Sequence, residues 1–332
     1  MSDAPDDGRP EVPGPARKTT LGSRRAEFDA RAQAARHDLE AQFRTRKAQI
    51  DERNAALTAR TGRNLPAAIA VGVALGAAVV LSLVFVKALF MVVAAALIAS
   101  LCFELASALR FAGRDVPRLP SVLIGLGMVP AAFYFGARGQ FLALLVGVLL
   151  VTAWRLVETL RPSHRASAGE LVRDLGAGAF VQIYCSFLGT FMVVLAAAPG
   201  GQWWTLAGLI VVIAVDTGAY ATGLNFGKHP MAPRISPNKT WEGFGGAVVI
   251  SLAVAVLLSI FMLGQPWWFG LVFGGLIIVT ATIGDLAESL MKRDLGIKDI
   301  STWLPGHGGF LDRLDSTLPS AAVAYALYLV FA

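Results

Sequence analysis

The chain has 332 residues, of which 55% are hydrophobic and 16% charged, with a formal net charge of +6. About a quarter of an ordinary soluble domain is charged; with a mean hydropathy of +0.60, this composition excludes that class and predicts an all-α, polytopic integral membrane protein. A sequence pI near 9.6 then reads as attraction of basic loops to anionic headgroups, and no nucleic-acid partner is expected.

Polarity is concentrated at the start. Residues 1–64 hold 13 Lys/Arg and 10 Asp/Glu, whereas the remaining four-fifths of the chain holds 16 and 13. Residues 1–22 are rich in Pro, Gly, Asp and Arg, a composition that disfavours folding. Residues 24–60 lack Pro and Gly and mix Ala, Arg, Glu and Gln, which suits a helix. Their apolar positions (Phe28, Leu39, Phe43, Ile50, Leu57) are sparse. A solvated helix at the membrane surface is the expectation, with a coiled coil or partner helix as the alternative. The first apolar run begins near Leu65, far beyond the position of a secretory signal. The two cysteines, Cys102 and Cys185, lie inside apolar runs and suggest neither a disulfide nor a metal framework.

Residues 65–332 form the expected transmembrane domain. Spans are predicted at 66–86, 88–106, 119–136, 140–160, 175–197, 203–224, 243–263, 267–290 and 318–332. Most approach the roughly 20 apolar residues that cross a bilayer core. That makes about nine helices behind a polar tail. No internal repeat is visible, which counts against an inverted-repeat transporter. With the tail inside, the inner loops carry 13 cations from Arg110 to Arg313, and the outer connections carry only Lys87 and Arg138. The positive-inside rule then places the N-terminus and the loops on the even side in the cytoplasm, with the inner (plasma) membrane as the location.

Two inner loops are unlike ordinary connectors. In the first, DTGAYATGLNFGKHPMAPRISPNKTWEG, Asp216 sits in an otherwise apolar helix, where a carboxylate costs a few kcal/mol. Ser236–Pro237 reads as an N-cap followed by Pro at the first helical position. A helix start there, with Lys228, His229, Arg234 and Lys239 nearby, favours an anion.

In the second, GDLAESLMKRDLGIKDISTWLPGHGGFLDRLDS, Asp285, Glu288 and Lys292 fall at i, i+3 and i+7, which is one helical face. Then come His307, Gly308 and Gly309, followed by Asp312, Arg313 and Asp315. If Asp312 and Asp315 begin the last helix they share a face, and Arg313 points elsewhere. Successive backbone N–H groups at glycines can cradle phosphate oxygens. Carboxylates beside cations and such a cradle suit a divalent metal held between phosphates.

At these residues the chain resembles the phosphatidate cytidylyltransferase (CDP-diacylglycerol synthase) family. That family's signature is met by Ser289, Lys292, Arg293, Lys298, Asp299, Leu304, Pro305, His307, Gly308, Gly309, Asp312, Arg313 and Asp315. Upstream, Asp216, Thr217, Ala219, Tyr220, Ser236, Pro237, Lys239, Thr240, Glu242 and Gly243 also look like the family. The match covers 216–316, with a departure at Ser301, where Gly is more usual, and at Trp303 beside it.

The resemblance implies the reaction of CTP with phosphatidic acid to give CDP-diacylglycerol and pyrophosphate. It implies Mg2+ as cofactor, with a monovalent cation such as K+ as an optional companion, and it allows a homodimer in contact with membrane lipids. Asp216, Asp285, Glu288, Asp312 and Asp315 are the expected metal residues. Catalysis is assigned to Asp285, Lys292, Asp312, Arg313 and Lys239. Lys228, Ser236, Lys239, Thr240, Arg293, Lys298, His307, Gly308 and Gly309 are the expected substrate contacts, the last three holding the leaving pyrophosphate. The alternatives are another membrane CTP-dependent lipid nucleotidyltransferase or kinase, and an ion-coupled secondary transporter using Asp216, Asp285 and Glu288.

Overall fold

In the computed structural model, residues 65–301, 303–304 and 308–332 are described, with side chains from Gly72 onward. The expected tail, 1–64, and His307 lie outside the described residues. The order is α1 (Leu65–Phe85), α2 (Lys87–Phe111), α3 (Arg118–Glu158), α4 (Ala168–Ala197), α5 (Gly201–Phe226), a ribbon of β1 (Pro230–Ala232) and β2 (Ser236–Thr240), α6 (Trp241–Phe261), α7 (Trp267–Asp294), a single turn α8 (Leu311–Leu314) and α9 (Thr317–Phe331). Among the described residues the fold is all-α apart from the ribbon, and large apolar side chains such as Phe85, Leu149, Ile213 and Phe261 face outward, as a lipid-facing surface requires.

Seven helices among the described residues are long and apolar enough to cross a membrane, against the nine spans expected from the sequence. α1 spans 21 residues, Leu65–Phe85, but its side chains are described only from Gly72, and α3 is counted once. At 41 residues, α3 drawn straight would be about 60 Å long, twice a bilayer core. It is not straight. Gly136 adopts φ 60°, ψ −151°, a region essentially reserved for glycine. A Cβ on Gly147 would fall 2.5 Å from the side chain of Ile124, 23 positions earlier. The two limbs therefore fold back on each other in a hairpin.

One core is built around α2, with Phe90, Ile98, Leu101 and Leu105 packing on Val129 from α3 and Val181, Cys185 and Val193 from α4. Both cysteines are buried and free. Within α4, residues Gln182–Phe187 form a π-helical segment. Such a bulge disturbs the ladder of backbone bonds, and Gln140 of α3 donates to the Phe187 carbonyl at 2.9 Å, which matters where no water can substitute. The second core joins Trp204, Val211 and Val215 of α5, Ala247 and Ala255 of α6, Phe269, Phe273 and Ile277 of α7, and Ala324 and Leu327 of α9.

The helices of this second core alternate in direction. Gly218 lies against Ala247 and Gly223 against Gly243, so α5 and α6 are antiparallel. Gly270 and Gly274 meet residues 256 and 251 in the same sense, and Thr280 meets Ser320 at 3.1 Å. Small residues let backbones approach closely. At Gly284 a Cβ would lie 2.5 Å from the Asp315 carbonyl. The C-terminal ends of α5 and α7 thus gather with the ribbon, the start of α6 and α8 at one end of the bundle.

Candidate active site

These ends enclose a cavity of about 610 Å³. Asp216 reaches it from α5, Lys239 and Thr240 from β2, Asp285, Glu288 and Lys292 from α7, and Asp312, Arg313 and Asp315 from α8 and the turn after it. The three α7 residues share the face that their spacing predicts. With Asp299, six carboxylates and three cations line one space.

Ion pairs organise the charges. Lys239 is paired with Asp285. Lys292 Nζ lies 2.6 Å from Glu288 Oε2 and 2.8 Å from Asp312 Oδ1, bridging α7 and α8. The other oxygen of Asp312 accepts the Gly309 and Ile300 amides at 2.7 and 3.2 Å. Asp315 Oδ1 accepts the Ser316 amide at 2.7 Å. Glu288 is 1% exposed, and its Oε1 has no hydrogen-bond partner among the described residues. A buried carboxylate oxygen without a donor is costly, and a cation beside it would offset that cost. An acid excess around a cavity of this volume, with one such oxygen, fits a divalent metal.

Two local expectations need correction. Ser236–Pro237 does not start a helix: Ser236–Thr240 pairs with Pro230–Ala232, and the cap is Thr240, whose Oγ1 accepts the Gly243 amide at 3.1 Å. Arg313 does not point away from its neighbours. The chain breaks between α8 and α9 at residues 315–316, and Arg313 lines the cavity beside Asp312 and Asp315. Of the glycine pair, the Gly309 N–H donates to Asp312 and the Gly308 carbonyl accepts from Leu304 at 2.9 Å. Lys228, Ser236, Arg293, Lys298, Gly308 and Gly309 do not line the cavity. Arg293 instead donates to the Ile235 carbonyl at 3.2 Å and fastens the ribbon.

Sequence reasoning passed over Glu104, Asn238 and Asp299 as site residues. Asn238 and Asp299 line the cavity. Glu104, 1% exposed on α2, accepts from the loop that precedes α8. The available signal was an acid within an apolar run, the same signal that singled out Asp216.

A different group, Asp115, Glu158 and His164, brings three ligand atoms within 4.8 Å of one another. None of the three lines the cavity. Arg110 and Arg155 lie 2.9 and 3.5 Å from Asp115, so that acid is already balanced by fixed cations, whereas Glu158 accepts from Trp154 at 2.8 Å and its Oε2 has no hydrogen-bond partner among the described residues. The cavity acids, with their excess over Lys239, Lys292 and Arg313, are the better fit for a metal.

Comparison with known proteins identifies the family of the chain. A model of the cytidylyltransferase family matches residues 66–331. The chain is 39% identical over 278 residues to the phosphatidate cytidylyltransferase of Mycobacterium leprae, covering 81% of this chain and 89% of that protein. It is 38% identical to the phosphatidate cytidylyltransferase of Mycobacterium tuberculosis over 81% of this chain and 83% of its relative. With the chloroplastic phosphatidate cytidylyltransferase 4 of Arabidopsis thaliana it shares 34% identity over 64% of this chain and 58% of that one. The chain belongs to the cytidylyltransferase family.

Proposed function

We propose that this member of the cytidylyltransferase family transfers the cytidylyl group of CTP to phosphatidic acid, giving CDP-diacylglycerol and pyrophosphate, in the cavity between α5, α6, α7 and α8. The observation that carries the reading is the convergence of six carboxylates and three cations on one space at the end of an apolar bundle. An ion-conducting path does not need three fixed cations among its acids. Two polyanions that must meet do need them.

In the reaction an oxygen of the lipid phosphate attacks the α-phosphorus of CTP. The bond from that phosphorus to the bridging oxygen breaks, and pyrophosphate leaves with the electron pair. No covalent enzyme intermediate is required, so catalysis rests on positioning and charge stabilisation. Lys239, Lys292 and Arg313 neutralise the phosphates. For the two lysines this means exchanging their present carboxylate partners for phosphate oxygens. Asp285 and Asp312, supported by Asp216, Glu288 and Asp315, hold Mg2+. When bound, the metal supplies positive charge to the phosphates and to the departing pyrophosphate. Thr240 fixes the start of α6, and so the position of Lys239 one residue before it. The lipid chains lie in the bilayer beside the bundle. By the bias of 13 cations to 2, the site end and the tail face the cytoplasm, and residues 65–332 constitute the catalytic domain.

Purified protein given phosphatidic acid, Mg2+ and CTP labelled at the α-phosphate should place label in lipid and release an equal amount of pyrophosphate; EDTA should stop both. Transfer of γ-label to lipid instead would identify a kinase. Labelling of an isoprenoid lipid and not of phosphatidic acid would identify a different cytidylyl acceptor. Either outcome would overturn the reading.

A further inference from the structure

We propose that Phe103 and Glu104 of α2 form a clamp on the loop before α8, and that Glu104 is a positioning residue for Asp312. The inference rests on the reading of Asp312 as part of the catalytic site. Glu104 Oε1 accepts from Ser301 Oγ at 2.5 Å and from the Phe310 amide at 3.0 Å, and Oε2 accepts from the Leu311 amide at 2.9 Å. Next to it, the Phe103 ring stacks on Trp303 with centroids 5.2 Å apart. Two consecutive residues of a rigid helix thus hold both ends of the loop, across about 200 positions of sequence.

The held residues are those that hold Asp312. Ile300, whose amide donates to Asp312 Oδ2, precedes Ser301, and Gly309, which donates to the same oxygen, precedes Phe310. Among the described residues of the loop, the isolated bridge between Leu304 and Gly308 is the only regular pairing that sets its course. Bonds to a buried carboxylate are the strong kind, and a misplacement of about 1 Å at a catalytic group can cost a hundredfold in rate. The clamp also accounts for Gly309: a Cβ there would fall 2.8 and 2.9 Å from the two oxygens of Glu104. Ser301 and Trp303, where this chain departs from the family pattern, are both members of the clamp.

Four variants test it against Asp312→Asn as reference. Glu104→Gln keeps the shape but turns an NH2 group toward one of the loop donors. It should lower kcat at least tenfold and raise the Mg2+ concentration for half-maximal rate, with KM for CTP within about threefold. Ser301→Ala, at the edge of the loop, should give a smaller change of the same pattern with an unchanged melting temperature. Gly309→Ala should be severely impaired. Adding Glu104→Asp, which withdraws the carboxylate by one methylene, should recover at least tenfold of that loss, a non-additivity expected only of residues in contact. A normal kcat and Mg2+ requirement in Glu104→Gln, or, where that variant does not fold, in Ser301→Ala, would overturn the proposal, as would a double variant no better than Gly309→Ala. Asp312→Asn with wild-type activity would instead remove the reading of the site.

Discussion

Lys292 and Asp312, 20 positions apart, meet at 2.8 Å across the gap between α7 and α8. The same ammonium lies 2.6 Å from Glu288, one turn earlier on its own helix. One cation thus joins two helices and balances two acids, of which Glu288 is 1% exposed.

Replacing Lys292 by Met keeps most of its bulk and leaves both carboxylates without that partner. Breaking a fully buried pair costs 3–5 kcal/mol; with the Lys292 side chain 16% exposed, roughly 2–3 kcal/mol is expected. Thermal unfolding in detergent should show that loss, and turnover should fall at least about a hundredfold, as for removal of a supporting partner at a metal site. Adding Glu288→Gln should restore stability without restoring turnover. Recovery of both would mean that Lys292 acts only on the fold.

Arg155 and Asp174 form the contrasting case. They are paired at 2.7 Å, nearly fully buried, and do not line the cavity. Asp174 also accepts the Asp115 amide at 2.9 Å. Asp174→Asn should cost about 3–5 kcal/mol of stability while turnover per folded molecule stays within twofold. A catalytic defect in folded Asp174→Asn would show that this network reaches the site.

How far the sequence disclosed all this depends on the kind of residue. Asp285, Glu288 and Lys292 were legible because helical spacing alone puts them on one face, and the cavity contains all three. Asp216 was legible as an acid in an apolar run. Glu104 has the same signature but stands far from any motif, and its partners are backbone amides of a loop, which no side-chain pattern encodes. The start of α6 was misread because Ser236–Pro237 carries a good capping signal. The antiparallel pairing of 236–240 with 230–232 is a tertiary choice that overrides it, moving the cap to Thr240. Gly136 shows the same limit: the hairpin was read as two spans, but the sequence does not reveal which glycine turns the chain.

Gly136→Ala isolates that backbone effect, since a Cβ at this position meets no atom within 4 Å. The strained dihedral alone should cost about 1–3 kcal/mol, seen as a lower melting temperature with normal turnover in the surviving molecules. No change in stability would mean that the hairpin tolerates another turn geometry.

Topology can be read by labelling single cysteines in a background with Cys102 and Cys185 replaced by Ala. Cysteines at Arg114 and Arg234 should react only from the cytoplasmic side, and one at Arg138, beside the α3 turn, only from the outside. Labelling of position 234 in sealed cells by an impermeant reagent would reverse the assigned orientation.

The most direct measurement is the turnover of Asp285→Asn with CTP, phosphatidic acid and Mg2+. Asn preserves the shape of a side chain that now pairs with Lys239 but removes the charge assigned to the metal. The protein should fold and insert normally, because a neutral amide at the membrane edge is easier to bury than a carboxylate. CDP-diacylglycerol formation should fall at least about a hundredfold. Folded Asp285→Asn protein with near-normal, Mg2+-dependent turnover would contradict the account.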